Sequence, residues 1–275
     1  MKLSHLCAAA LISLSPVASQ AAVVLIDNFD NPTGDGAQFV SDTTNNAAAV
    51  VSNDYFSATG ILGGYRDLSI NCQSTSCRNG IAGATLGVYD GALHWTNADG
   101  VRSTGVVTWN GEDSGSGLNV NLLDLGNAIT ASVVYADLGF NYSIELITNG
   151  GGSTRLDSGA LYGIGDSYQQ NPGPEDSVYY LEWFTRATGD YFDAGLPFSI
   201  TQSSGGADLS DVDSMKFTLW NTGNCYIAGR LGDPGVCSAS VDLNIDQVYV
   251  PEPSSLALLG LGLLGLGASV RRRKN

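Results

Sequence analysis

Apolar and polar residues alternate along much of the chain between residues 23 and 250. A period of two residues is typical of β-strands that bury one face and expose the other. The segments with this pattern, or with short apolar runs of strand length, are 23–29, 85–88, 92–96, 101–109, 118–122, 128–135, 142–148, 179–185, 198–202, 215–220 and 241–250. No amphipathic helical pattern of useful length occurs among them. The pattern therefore predicts an all-β chain over this region.

Turn-forming residues separate these segments. Clusters of Gly, Pro, Asn and Asp stand at 31–36, 89–91, 149–152 and 233–235, and the chain contains 35 glycines. Many short strands with frequent turns predict an antiparallel β-sandwich, most simply a jelly roll. Because no linker interrupts residues 22–250, we expect them to form one domain with one sizeable core.

The N-terminus has the pattern of a secretory signal peptide. Met1 and Lys2 precede an apolar stretch at 3–14, Pro16 breaks it, and small residues lead up to Ala21. The pattern predicts residues 1–21 as a signal peptide that is cleaved after Ala21, with Sec-type export machinery as a partner. The alternative is a retained N-terminal anchor, but the apolar stretch is too short for one.

The C-terminal tail has the pattern of a weak membrane anchor. Residues 254–270 carry no charge and include seven leucines and four glycines, and a cationic cluster follows. As a helix this segment extends about 25 Å, the short end of a bilayer span. The cluster predicts a C-terminus on the cytoplasmic side and an exported domain. It consists of Arg271, Arg272, Arg273 and Lys274.

The residues Pro251, Glu252 and Pro253, followed by the Leu/Gly helix and the Arg-rich end, resemble the PEP-CTERM family of exported bacterial proteins. The resemblance implies a Gram-negative source that makes extracellular polysaccharide. It also implies processing by an exosortase-type membrane transpeptidase or protease near this motif. Residues 251–275 are then a sorting segment that anchors the protein transiently in the inner membrane, before it reaches the cell surface or the medium. The two prolines disfavour helix and suit an extended recognition segment or a rigid spacer.

The formal net charge of −15 limits the possible partners. The exported region is more acidic still, because Lys2 and the terminal cations lie outside it. Such a surface repels nucleic acid and keeps a secreted protein soluble. We therefore expect no nucleic-acid partner.

Four cysteines remain after the signal peptide, and an oxidising compartment favours disulfides. We expect Cys72 to pair with Cys77 and Cys225 with Cys237, although four cysteines allow three connectivities. A zinc site is the competing interpretation. It is disfavoured because neither pair has Cys-x-x-Cys spacing and His94 is the only histidine outside the signal peptide.

The sequence offers little catalytic chemistry, and we expect a protein that is not an enzyme. His94 lies in a strand-like segment, and no Gly-x-Ser-x-Gly elbow supplies a nucleophile. Glu145 and Glu182 are candidate paired carboxylates for glycoside hydrolysis. Any acid-rich sandwich offers such pairs.

Ligand binding is a stronger alternative. The opening strand at 24–30 and the closing strand at 241–250 resemble those of galactose-binding-like and carbohydrate-binding jelly rolls, in which the two ends lie near each other. Alternation places Lys216 and Trp220 on the face opposite Met215, so Trp220 and Lys216, together with Trp183, are candidate sugar-binding residues. The competing interpretation is core packing under a second layer.

A structural calcium ion is a further candidate, although we expect no cofactor. Asp27, Asp30, Asp35 and Asp246 supply hard oxygen ligands near the joined ends. Turn formation by Asp explains most of this pattern equally well.

These features favour an exported, exosortase-processed surface or extracellular-matrix protein that is non-catalytic and associated with extracellular polysaccharide or biofilm. A specific carbohydrate-binding module is the alternative. A polysaccharide-active enzyme is the second alternative.

Overall fold

The structure is a computed structural model. It describes residues 23–30, 38–44, 48–56, 59–73, 77, 82–113, 115, 117–122, 128–136, 140–157, 179–185, 191–192, 199–221, 226–227, 230–231 and 241–251. Several predicted features lie outside these residues: the signal peptide, the sorting segment beyond Pro251, Asp35, Cys225 and Cys237.

The described residues form a β-sandwich, as the alternating pattern predicts. In chain order the strands are β1 Val23–Asp27, β2 Gln38–Asp42, β3 Val50–Phe56, β4 Tyr65–Cys72, β5 Ala84–Tyr89, β6 Ala92–Asn97, β7 Ser103–Trp109, β8 Ala128–Ala136, β9 Asn141–Thr148, β10 Ser153–Asp157, β11 Tyr179–Thr185, β12 Tyr191–Phe192, β13 Ser199–Ser203, β14 Val212–Trp220, β15 Tyr226–Ile227, β16 Arg230–Leu231 and β17 Asp242–Pro251. A short 3-10 turn, Leu62–Gly64, precedes β4.

Two antiparallel sheets make up the two layers. The eight-stranded sheet has the order β12-β11-β8-β17-β6-β5-β2, and β1 pairs with β17 beside this path. The seven-stranded sheet has the order β13-β10-β9-β14-β7-β4-β3. Strands β15 and β16 form a separate short hairpin. The fold is therefore the antiparallel β-sandwich that the sequence predicts.

The core lies between the two sheets because the central strands alternate strictly. In β14, Met215, Phe217 and Leu219 are buried, whereas the residues between them are only partly buried. Trp95 of β6 and Trp109 of β7 are fully buried. Burying each such large apolar side chain stabilises the fold by about 1.5–3 kcal/mol.

Most predicted strands are present, but one prediction is wrong and seven strands were missed, of which three are only two residues long. Segment 118–122 forms only an isolated bridge between Val120 and Val212. Three of the missed strands, β2, β4 and β10, carry buried polar groups that interrupt the apolar pattern, such as Arg66 in β4 and Asp42 in β2. The missed strands are Gln38–Asp42, Val50–Phe56, Tyr65–Cys72 and Ser153–Asp157, together with the two-residue strands Tyr191–Phe192, Tyr226–Ile227 and Arg230–Leu231.

The two ends of the domain pair with each other, as expected. Val23 lies opposite Pro251 and Val24 lies opposite Val250 in the β1–β17 ladder. Strand β17 is also flanked by β8 on its other side. The residues that join the domain to the sorting segment are therefore part of the eight-stranded sheet.

A buried ion pair joins the two sheets near these ends. The Arg66 Nη1 donates to both carboxylate oxygens of Asp27, at 2.8 and 2.9 Å, and both side chains are fully buried. Trp109 Nε1 also donates to Asp27, at 2.8 Å, and Arg66 Nε donates to the Gln38 Oε1 at 2.8 Å. The network satisfies most of the charge, as a buried ion pair requires.

The disulfide between Cys72 and Cys77 is present, as predicted. Beside it, the buried Asp42 carboxylate accepts the Cys72 amide at 2.8 Å and the Thr44 hydroxyl at 2.7 Å. Because Asp42 lies in β2 and Cys72 in β4, this contact ties the two sheets together. The predicted pair Cys225 with Cys237 stays a prediction.

Within the ranges given above, no helix is long and apolar enough to cross a membrane.

Candidate ligand-binding surfaces

A row of charged and polar side chains crosses the outer face of the seven-stranded sheet. Lys216 lies opposite Glu145 on one side and opposite Thr108 on the other. On the next strands outward, Arg155 of β10 lies opposite Glu145, and Asp67 of β4 lies opposite Thr108. Opposite charges on adjacent strands stabilise such a face.

A shallow depression of about 360 Å³ lies on the same face. Lys216 and Thr218 line it from β14, Asp67 and Ser69 line it from β4, and the exposed Val51 lines its edge. The predicted orientation of Lys216 is therefore correct: it lies on the outer face, beside groups that can bond hydroxyls.

Trp220 also lies on this face and is partly exposed, but its ring contacts a neighbouring guanidinium group. The Arg155 guanidinium carbon lies 5.6 Å from the ring centroid, which is a cation–π contact. Arg155 is held there by an ion pair with Asp157 at 2.7 Å. A sugar that stacks on Trp220 must share or displace this guanidinium. The side chain of Trp183 lies outside the described residues.

The carboxylate pair expected of a glycosidase is not formed by Glu145 and Glu182. Glu145 belongs to β9 of the seven-stranded sheet, where its neighbours Ile144 and Leu146 are buried, so Glu145 faces outward. Glu182 belongs to β11 of the eight-stranded sheet, opposite Thr130. An outward residue of one layer cannot meet a residue of the other across a substrate.

His94 lies on the outer face of the eight-stranded sheet. Its ring stacks on Tyr89, with 3.8 Å between centroids and 6° between planes. The Nε2 lies 3.1 Å from the Tyr89 carbonyl oxygen, which only accepts, so Nε2 carries the proton and donates. These two contacts fix the orientation of the imidazole ring, and Nε2, which carries the proton, is not available as a general base.

An aromatic surface surrounds His94, and the sequence reasoning missed it. Phe39 and Tyr135 on this face are half exposed. Gly87 lies between Phe39 and His94 in the register, and a Cβ there would lie 2.9 Å from the Phe39 ring. The sequence signal for this surface is Gly87, a strand glycine that lies opposite the aromatic rings of Phe39 and His94 on the two neighbouring strands.

Of the four aspartates proposed for calcium, Asp35 lies outside the described residues, and the calcium site stays a prediction. Asp27 is buried and bonded to Arg66 and Trp109, as described above. Burial raises the pKa of the Asp246 carboxyl, and the negative charge of Asp30 raises it further. Among the residues that the structure describes, no cluster of three His, Cys, Asp or Glu side chains suits a metal ion.

Residues 250–273 match the model of the PEP-CTERM protein-sorting motif. This chain carries a PEP-CTERM sorting signal. The motif indicates an exported surface protein with a C-terminal membrane-anchoring signal that an exosortase processes. The match begins at Val250, which is buried in β17, so the PEP-CTERM segment starts inside the folded sheet.

Comparison with solved structures gives a distant likeness. One matching chain is described as "Structural basis for the promiscuous specificity of the carbohydrate-binding modules from the beta-sandwich super family", with 11% identity and a TM-score of 0.26. The match covers 82% of this chain and 61% of the other, so the chain spans less than two thirds of that structure. A search of curated proteins finds no match.

Proposed function

We propose that the sandwich of this PEP-CTERM protein is a non-catalytic component of the extracellular polysaccharide or biofilm layer. The observation that carries the proposal is the continuity between β17 and the sorting motif at 250–273. This continuity makes the whole domain the cargo of the sorting signal. An acidic, disulfide-stapled sandwich suits a role outside the cell.

Fractionation of the producing cells tests this role. We expect the processed domain in the envelope and polysaccharide fractions. A matched chain in which Pro251, Glu252 and Pro253 are replaced by alanine should remain in the membrane fraction at full length. If the processed domain appears only as free protein in the medium, with none in the polysaccharide, the proposed role is wrong.

Specific carbohydrate binding is the second candidate, and the depression beside Lys216 and Thr218 favours it. Sugars need polar groups for their hydroxyls and an apolar surface for their ring. A glycan array with the processed protein and a Trp220→Ala variant tests this surface. An array signal that the substitution does not change removes Trp220 from the site.

A further inference from the structure

A slot lies on the outer face of the eight-stranded sheet, opposite the side of the molecule that holds Lys216 and Trp220. Asn244 of β17 lies directly between His94 of β6 and Tyr135 of β8 in the strand register. Neighbouring strands are about 4.8 Å apart, so the backbones at His94 and Tyr135, which lie two strands apart, are about 10 Å from each other. Asn244 forms the floor between them.

The His94 ring forms one wall of the slot, and two contacts with Tyr89 fix its orientation. Tyr89 stacks on one face of the imidazole at 3.8 Å, and the Nε2 donor is bonded to the Tyr89 carbonyl at 3.1 Å. Gly87 makes room for this stack, because a Cβ at that position would lie 3.4 Å from the Tyr89 ring. Asn244 flanks His94 from β17, the neighbour of β6 on the side away from β5 and Tyr89.

The Tyr135 wall depends on an irregularity in β8. Asn244 pairs with Tyr135, whereas the next residue, Ile245, pairs with Val133, so Val134 is an extra residue in β8. Such bulges redirect side chains and occur often beside binding sites. As a result both Val134 and Tyr135 are exposed, by 44% and 50%.

We propose that this slot binds one pyranose ring of a neutral polysaccharide, held between His94 and Tyr135 with its hydroxyls bonded to the Asn244 amide. A saturated sugar ring has apolar C–H faces that make van der Waals contact with an aromatic ring at about 4 Å on each side. A spacing of about 10 Å accommodates one such ring between two walls. The Asn244 amide both donates and accepts, as sugar hydroxyls do. The inference rests on the carbohydrate-binding candidate above and places that function on a different surface.

The charges around the slot select against acidic sugars. Asp242 lies two residues before Asn244 on the outer face of β17, Asp246 lies two residues after it, and Asp90 follows Tyr89. Burial raises the pKa of the Tyr89 hydroxyl, and the charges of Asp90 and Asp242 raise it further, which reports a negative potential beside the stack. A uronate or phosphate group would be repelled there.

Native affinity electrophoresis of the processed, exported protein tests the slot. The probes are a soluble β-glucan, an α-glucan, a galactan and a polyuronate, each cast into the gel over a range of concentrations. We expect retardation by at least one neutral glycan and none by the polyuronate. Tyr135→Ala and Asn244→Ala should each weaken the binding about tenfold or more, whereas Tyr135→Phe keeps the ring and should retain it.

Trp220→Ala tells the two candidate surfaces apart, because it removes an aromatic from the opposite face. Binding that Trp220→Ala abolishes and Tyr135→Ala leaves intact overturns the slot while it supports carbohydrate binding at the other surface. Retardation by none of the three neutral glycans, or equal retardation by the polyuronate, also overturns the slot. A polysaccharide association seen in the fractionation experiment would then stand without it. Tyr135 is half exposed, so its replacement should leave the melting temperature unchanged.

Discussion

Val23 and Pro251 are opposite partners in an antiparallel ladder, so the first and last residues of the sandwich lie side by side. The predicted signal-peptide junction after Ala21 lies just before Val23, and the sorting motif contains Pro251. Both predicted processing sites therefore adjoin the same place in the eight-stranded sheet. A peptide bond inside a paired strand is a poor protease substrate, because the enzyme needs the backbone that the ladder already holds.

This pairing predicts where the sorting cleavage falls. Tyr249, Val250 and Pro251 are paired with β1, so we expect the processed C-terminus at or beyond Pro251. Intact-mass spectrometry of the exported protein measures it. A C-terminus before Pro251 would contradict the prediction.

A companion variant separates sheet pairing from motif recognition. A short Gly-Ser spacer inserted between Pro251 and Glu252 interrupts the motif without touching β17, and it should reduce processing. The same spacer placed after Pro253 leaves both the motif and the strand intact, and it serves as the control for length.

The buried Arg66–Asp27 pair predicts a large and asymmetric cost of mutation. Arg66→Met leaves the Asp27 carboxylate buried without its cation, and we expect a loss of about 3–5 kcal/mol in the free energy of unfolding. The double variant Arg66→Met with Asp27→Leu should be more stable than Arg66→Met alone, because no buried charge remains. Urea denaturation measures both.

The exposed pair Arg155–Asp157 is the matched control for this experiment. The Arg155 side chain is 40% exposed, so Arg155→Met should change stability by less than about 1 kcal/mol. Equal losses at Arg66 and Arg155 would show that the buried network contributes no more than a surface ion pair.

The cysteines predict a defined disulfide map. Peptide mapping of the exported protein without reduction should find Cys72 joined to Cys77, as the structure has it, and we expect Cys225 joined to Cys237. Replacement of Cys72 and Cys77 together by serine should cost about 2 kcal/mol, since the bridge closes only a short loop. A peptide that joins Cys72 to Cys225 would refute this connectivity.

The β-sandwich was predictable because its central strands obey the two-residue period closely. Strand β14 shows this clearly: its inward residues Met215, Phe217 and Leu219 are all apolar, so alternation alone assigns both of its faces. Strand β4 was missed because its first inward residue is Arg66, whose partner Asp27 lies 39 residues away in the sequence. A local pattern cannot report a partner that only the fold brings near.

The same limit explains the candidate sites. Alternation placed Trp220 on the outer face correctly, but it could not show that Arg155 covers the ring. Tyr135, Asn244 and His94 meet through strand order, since β17 lies between β8 and β6 although it comes last in the chain. Their shared position depends on long-range pairing, which the sequence pattern does not encode locally.

Two aspartates predict opposite effects of pH on stability. Burial of Asp42 works against its ionisation, but the hydrogen bonds from the Cys72 amide and from Thr44 outweigh it and lower the pKa of the carboxyl. Its contribution to stability is therefore present above the ordinary aspartate pKa of about 4 and is lost as the pH falls below that value. Asp42→Asn should be less stable than the parent protein at pH 7, by about 1–3 kcal/mol for the lost charged hydrogen bonds.

Asp246 should behave in the opposite way. Burial raises the pKa of its carboxyl, and the charge of Asp30 raises it further. The stability linked to this group is present below the ordinary pKa and is lost as the pH rises through the raised value. Asp246→Asn should therefore be more stable than the parent protein at neutral pH. Thermal unfolding at pH 7 and near pH 3 measures both effects. In acid, Asp42→Asn should approach the stability of the parent from below, and Asp246→Asn should approach it from above. A loss of stability in Asp246→Asn at neutral pH would mean that its carboxylate is held by a favourable contact instead.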